Sequence, residues 1–284
     1  MNRLAILLLI LATALQSFSQ IKVPMGSKDE IDKFYKTTTY VVLKNEFMSD
    51  YNEKIEEAIE KHWTITPVKF VKVSEFEKLR HDDDKSFLMV NIAYFDNDDT
   101  KFEFLILSLG GSKYKTVNDM PSLCAVPLCY YGDEDEEKYI YKLGAMLKHC
   151  QTHVEICHKH PELKKETILD YYLNNSSNLS DKKLYLLKDE VSEDLRSNSS
   201  LKTAYPYDVE FATAEKIEEL ISKNDDKALI ALIINPFEGS GLQYCFKIII
   251  DVKEGMIYYY DFQKPKKNTY GYITSDDLKK LSKK

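Results

Sequence analysis

Beyond residue 20 the chain lacks any apolar run near the roughly 20 residues that a membrane-spanning helix needs, so no transmembrane segment is expected there. A basic stripe is also missing. The 39 Lys and Arg are scattered among 46 Asp and Glu, and phosphate neutralisation needs clustered positive charge, which argues against a nucleic-acid partner. Gly110-Gly111-Ser112 and Gly239-Ser240-Gly241 are too short to cradle phosphate, and neither is followed by Gly-Lys-Ser/Thr. Both read as hairpin turns. Ser240 lacks the glycine spacing of a nucleophile elbow. The first cysteine is Cys124, so no lipid-anchoring cysteine follows the amino-terminal apolar run.

The amino terminus itself has the layout of a secretory signal. Asn2 and Arg3 form a short basic start, residues 4–15 are almost unbroken apolar sequence, and the small residues Ser17 and Ser19 follow. Cleavage after Ser19 is expected, making residues 1–19 a signal peptide and the mature chain a periplasmic or extracellular protein. The cysteines (Cys124, Cys129, Cys150, Cys157 and Cys245) are odd in number for an exported chain, so at least one is unpaired or pairs between chains. A chain of this length can be held by its core alone, and the spacing does not suggest a disulfide scaffold.

Hydrophobic periodicity divides the mature chain into two similar halves. Tyr40-Val41-Val42-Leu43-Lys44-Asn45-Glu46 aligns with Leu184-Tyr185-Leu186-Leu187-Lys188-Asp189-Glu190, and Val68-Lys69-Phe70 with Val209-Glu210-Phe211. A small amphipathic helix follows each second match, carrying Phe76 and Leu79 or Ile217 and Leu220. Asp83-Asp84-Lys85 and Asp225-Asp226-Lys227 then turn into apolar strands, and each strand is followed by another. This order predicts an internal duplication and an α/β (α+β) fold: two related small mixed-sheet domains with helices on the sheet, joined by a long helix. The expected boundaries are 20–131 and 183–284 for the domains and 132–182 for a helical connector and linker.

The opening helix of the first domain is well marked, with Ser49 or Asp50 as cap and Tyr51, Ile55, Ala58, Ile59 and Trp63 on one face. Its counterpart, residues 192–203, is rich in Ser and Asn and is expected to be shortened or lost. The second half ends in a hairpin, Ile249-Ile250-Asp251-Val252-Lys253-Glu254-Gly255-Met256-Ile257-Tyr258. In element order and in this hairpin, about 100 residues of each half resemble the small α/β domains of bacterial envelope proteins, such as the curli-export lipoprotein and the amino-terminal domain of the Tol-system propeller protein. The whole chain also resembles exported bacterial proteins with tandem α/β domains. These resemblances imply protein binding without catalysis and transfer no site residue.

Between the halves, residues 133–160 read as the longest helix. Acidic residues after Gly132 suit the positive end of its dipole, and Ile140, Leu143, Leu147, Cys150, Val154 and Cys157 form an apolar stripe. The stripe predicts either an internal strut packed on both sheets or self-association with the same helix of a second copy.

Candidate chemistry concentrates on this helix. Cys150, His153, Cys157 and His160 recur at i, i+3, i+7 and i+10, and thiolate plus imidazole is a zinc-type donor set. Four ligands along one straight helix would span about 15 Å, too far for one ion, so at most two could share a metal with partners from elsewhere. Packing of Cys150 and Cys157 as small buried thiols is the preferred reading, and no cofactor is expected. Asp96-Asn97-Asp98-Asp99 and His81-Asp82-Asp83-Asp84 lack the glycine of a calcium loop and read as solvated turns. Cys124 and Cys129, in Cys-Ala-Val-Pro-Leu-Cys, either form a small disulfide or stay apart; as a nucleophile, Cys129 would have His149 as its nearest base in sequence. In Tyr258-Tyr259-Tyr260, alternation puts Tyr258 and Tyr260 on one face and Tyr259 on the other; a well-packed sheet edge is the preferred reading, and an aromatic surface for partners or sugars is the alternative. The sum points to a non-catalytic protein-interaction or envelope-associated module. The alternative is a hydrolase with a thiol or metal site near Cys150, His153 and Cys157.

Overall fold

The computed structural model describes residues 23–45, 49–94, 100–133, 135–235, 243–264 and 271–283. The expected signal peptide, the acidic turn at 96–99 and the glycine turn at 239–241 lie outside the described residues.

In the first sheet, β1 (Thr38–Leu43) runs parallel to its neighbours β2 (Val68–Lys72) and β3 (Lys85–Tyr94), and β4 (Lys101–Leu109) and β5 (Ser122–Tyr130) continue antiparallel from β3. In the second, β6 (Lys183–Leu186) runs parallel to β7 (Asp208–Phe211) and β8 (Ala228–Ile234), with β9 (Cys245–Asp251) and β10 (Ile257–Gln263) antiparallel beyond β8. The orders β2-β1-β3-β4-β5 and β7-β6-β8-β9-β10 are the same. The structural correspondence differs from the sequence alignment by one residue in the opening strand. Tyr40 lies beside Lys69 and Phe87, and Tyr185 beside Glu210 and Ile230. Tyr40 therefore matches Tyr185 rather than Leu184, and a one-residue slip exchanges the two faces of a strand.

Helix α1 (Lys28–Phe34) precedes the first sheet. Helices α2 (Asp50–His62) and α3 (Val73–Leu79) connect its parallel strands, and α6 (Asn198–Ala204) and α7 (Ala214–Ser222) do so in the second. Helix α2 buries Tyr51, Ile55, Ala58 and Ile59, the face expected from their spacing. Helix α6 has seven residues against thirteen in α2, since its Ser and Asn side chains compete for backbone groups; Ser197 caps it by accepting the Ser200 N–H. Helix α5 (Ile168–Asn175) precedes the second sheet, and helix α8 (Ser275–Ser282) closes the second half.

One open alternative is decided and two corrections concern local structure. Strand β5 passes straight through Pro127, in a segment whose sequence left extended and looping conformations open. It is an edge strand with register shifts, where a missing N–H is tolerated. The connecting helix α4 (Leu143–Lys159) starts about ten residues later than residue 133, after two 3-10 turns at Glu136–Lys138 and Ile140–Lys142. Glu136 does not serve its own helix: it accepts the Tyr51 N–H at 2.9 Å and pairs with Lys44 at 2.8 Å, capping α2 instead. Finally, a bulge between Ile257 and Tyr259 breaks the expected alternation of the three tyrosines. Tyr258 and Tyr259 both enter the outer core of the second sheet, Tyr260 points to the opposite core, and no aromatic surface results.

One hydrophobic core joins the halves, with Phe102 and Phe104 of β4 packed edge-on against Phe246 of β9 at 5.1 and 5.8 Å. Smaller cores lie outside each sheet, under α3 in the first half and under α6 and α8 in the second. Helix α4 lies against α1, α2, β5 and α7. Of its seventeen residues thirteen are buried, so the expected apolar stripe is covered by its own chain. That is the internal-strut arrangement; the helix offers no free apolar face for self-association. Gly144 permits the close crossing, since a Cβ there would lie 2.6 Å from His62 and 2.7 Å from Ile221.

Candidate functional site

The sheets do not meet along their whole length. A cavity of about 200 Å³ separates them. Strand alternation supplies its walls: Phe104 and Ile106 of β4 face Phe246, Ile248 and Ile250 of β9, with Leu232 of β8 beside them. Ala93 and Ala125 face the same space, and their short side chains leave room where Leu or Phe would fill it. Few polar groups reach it. They are Ser122, Tyr260 and His149, the last from α4; burial raises the Tyr260 hydroxyl above its ordinary range.

His149 belongs to a second feature at this wall. One donor atom from each of Cys124, His149 and His153 lies within 4.8 Å of the other two, and all three residues are buried. Cys124 comes from β5 and the histidines from successive turns of α4. His149 Nδ1 faces the Gly255 carbonyl at 2.8 Å, and His153 Nε2 faces the Pro24 carbonyl at 3.0 Å. A carbonyl only accepts, so each of these nitrogens carries the proton. His153 Nδ1 then accepts from the Tyr172 hydroxyl at 2.9 Å.

The approach of Gly255 is as tight as a backbone permits. Its φ is +70°, and a Cβ would lie 2.3 Å from the His149 nitrogen, so the hairpin turn after β9 requires glycine for both conformation and contact. Burial lowers the His149 pKa, and it lowers His153 to about 3, with the neighbouring His149 adding to the effect. Both rings are neutral at pH 7. Burial also raises the Cys124 thiol well above its usual value, with the adjacent Cys150 contributing.

Of the residues singled out on the helix, only His153 joins this cluster. Cys150 and Cys157 pack in the shared core, as their small buried thiols suggested, while His160 sits partly exposed beside Glu162 at 3.3 Å. Cys124 was missed because only tertiary packing brings β5 to α4. His149 had a readable signal, its i, i+4 relation to His153. Cys124 and Cys129 lie five positions apart on one strand, a separation of roughly 16 Å at 3.3 Å per residue, so they form no disulfide. All five cysteines are free and buried. Cys129 donates to Glu103 at 3.9 Å rather than meeting a base, and burial pushes its thiol up to about 12. A protonated thiol is a poor nucleophile.

Several charged groups elsewhere are paired within the chain. In the turn at 81–84, Lys85 holds Asp82 at 2.7 Å and Asp84 at 3.0 Å, and Lys33 holds Asp83 at 3.0 Å. A cleft of about 500 Å³ beside β5 and β8 contains several acids, but Asp133 and Asp135 pair with Lys138 and Glu190 pairs with Lys142. Among the described residues no helix is long and apolar enough to cross a membrane. No protein family, curated protein or solved structure matches the chain.

Proposed function

We propose that this chain is an exported, non-catalytic binding module that takes a small apolar ligand between its two sheets. The cavity carries this reading, because facing apolar side chains from both sheets leave about 200 Å³ unfilled. An engineered cavity of about 150 Å³ lined by aliphatic and aromatic groups admits benzene. The space here therefore suits a single-ring aromatic or a short branched hydrocarbon better than a long acyl chain. The wall supports the non-catalytic part of the reading: its one imidazole, His149, is hydrogen-bonded to the Gly255 carbonyl, and burial raises the nearby Cys124 thiol. Residues 1–19, with their basic start, apolar run and small residues, support export.

Two measurements test this reading. Thermal melting with toluene, indole and decane, one at a time, should show stabilisation by the single-ring compounds and none by decane. Ile248→Trp, which fills the space, should abolish the response. Stabilisation by none of them, with the protein folded, contradicts the proposal. For export, the mature chain should begin at Gln20; a chain retained in the cytoplasm with its first residues intact contradicts that part.

A further inference from the structure

We propose that Cys124, His149 and His153 form a binding site for zinc, at the wall where α4 meets β5. This inference is independent of what occupies the cavity. The three donor atoms already lie within 4.8 Å of one another. Zinc takes thiolate sulfur at about 2.3 Å and imidazole nitrogen at about 2.0–2.1 Å, so each donor needs to move inward by roughly half an ångström. Softer thiolate and imidazole donors select such an ion over magnesium or calcium.

The second shell supports the same assignment. Metal-bound histidines commonly donate their other ring N–H to a carbonyl or carboxylate, which sets the tautomer and aims the free lone pair. Both histidines here make that bond, His149 to Gly255 and His153 to Pro24. By elimination the ligating nitrogens are His149 Nε2 and His153 Nδ1. Two separate backbone segments, the chain before α1 and the β9–β10 turn, thus hold the two rings. The three donors leave the fourth position of a tetrahedral zinc to a group from outside the cluster, such as water.

Binding balances simply. The Cys124 S–H proton leaves to solvent as the sulfur–zinc bond forms, both imidazoles bind as neutral ligands, and the Tyr172 hydroxyl gives up its hydrogen bond to His153 Nδ1. No electron is transferred. Because the site is buried, the ion enters during folding or a local opening.

The test is refolding of the full mature chain under reducing conditions with cobalt(II) as a spectroscopic probe, followed by displacement with zinc. The expected result is one equivalent of metal, a thiolate-to-cobalt absorption band that zinc abolishes, and release of at least one proton per ion. Cys124→Ala should weaken binding by about 100-fold or more, while Cys157→Ala, on the same helix but outside the cluster, should leave it unchanged. X-ray absorption of the wild-type zinc complex needs no variant to fold and should show at least one sulfur and two imidazole nitrogens. Failure to bind one equivalent, an all-oxygen shell, or a band that survives Cys124→Ala and is lost in Cys157→Ala overturns the proposal.

Discussion

Tyr40 and Tyr185 hold equivalent places in the middle of the opening strands of the two sheets, yet they face different cores. Tyr40 points into the small core outside the first sheet, and Tyr185 into the core shared by both. The helices follow suit: α2 packs inward and α3 outward in the first half, while α6 packs outward and α7 inward in the second. The sheets are therefore stacked face to back, not related as mirror partners. Unlike faces meet at the centre, and the cavity lies between them.

The shared core predicts coupled unfolding. Phe246 contacts Phe102 and Phe104 across the interface, and a buried Phe→Ala substitution costs about 3–5 kcal/mol. Phe246→Ala should lower the stability of both halves together, seen as an earlier single transition in denaturant. Two separated transitions in the wild type would show independent cores.

Thiol accessibility gives a second prediction. With five free buried cysteines, a disulfide-forming dye should react with none of them in the native protein and with five after denaturation without reductant. A count of three after denaturation would reveal one disulfide.

Much of this architecture was legible in the chain because periodicity reports burial. The stripe of Tyr51, Ile55 and Ile59 located α2 and its buried face, and alternating apolar residues located most strands. The failures have local causes. Pro127 left β5 undecided between extended and looping chain, because tolerance of proline depends on a strand being at an edge, which only the completed sheet decides. The acids after Gly132 fitted a helix start, but Glu136 found a stronger use on α2. The bulge at Tyr258 defeated a two-residue period. The thiol and imidazole cluster depends on a contact between a strand and a helix, so its Cys124 member was invisible to spacing along α4.

Acid sensitivity follows from the buried histidines. An unfolded histidine titrates near 6.5, whereas burial holds His153 to about 3 and lowers His149. Below pH 6.5 the unfolded chain therefore binds protons that the folded chain does not. Their stabilising contribution is complete above that pH and falls as the pH is lowered, for His153 by up to about 1.4 kcal/mol per pH unit. Denaturant midpoints measured from pH 7 to 4 should decline, and His153→Gln should flatten the slope. A profile unchanged by that substitution contradicts the assignment.

The second half contains a buried ion pair whose partners are not interchangeable. Asp277 accepts from Lys247 at 2.8 Å and from Tyr259 at 2.6 Å, tying α8 to the sheet. Removing one charge strands the other, at a cost of about 3–5 kcal/mol, whereas an apolar pair can be neutral or better. Asp277→Ala should thus destabilise strongly, and Lys247→Met combined with Asp277→Leu should recover much of the loss in thermal melting. Equal destabilisation by the single and double variants would show that the charge pair is not what holds α8.

Crystallography under xenon pressure shows whether the space between the sheets is dry and receives an apolar guest. Xenon density bounded by Phe104, Leu232, Ile248 and Ile250 is expected. Ordered water filling that space, or collapsed walls that admit no xenon, would contradict it.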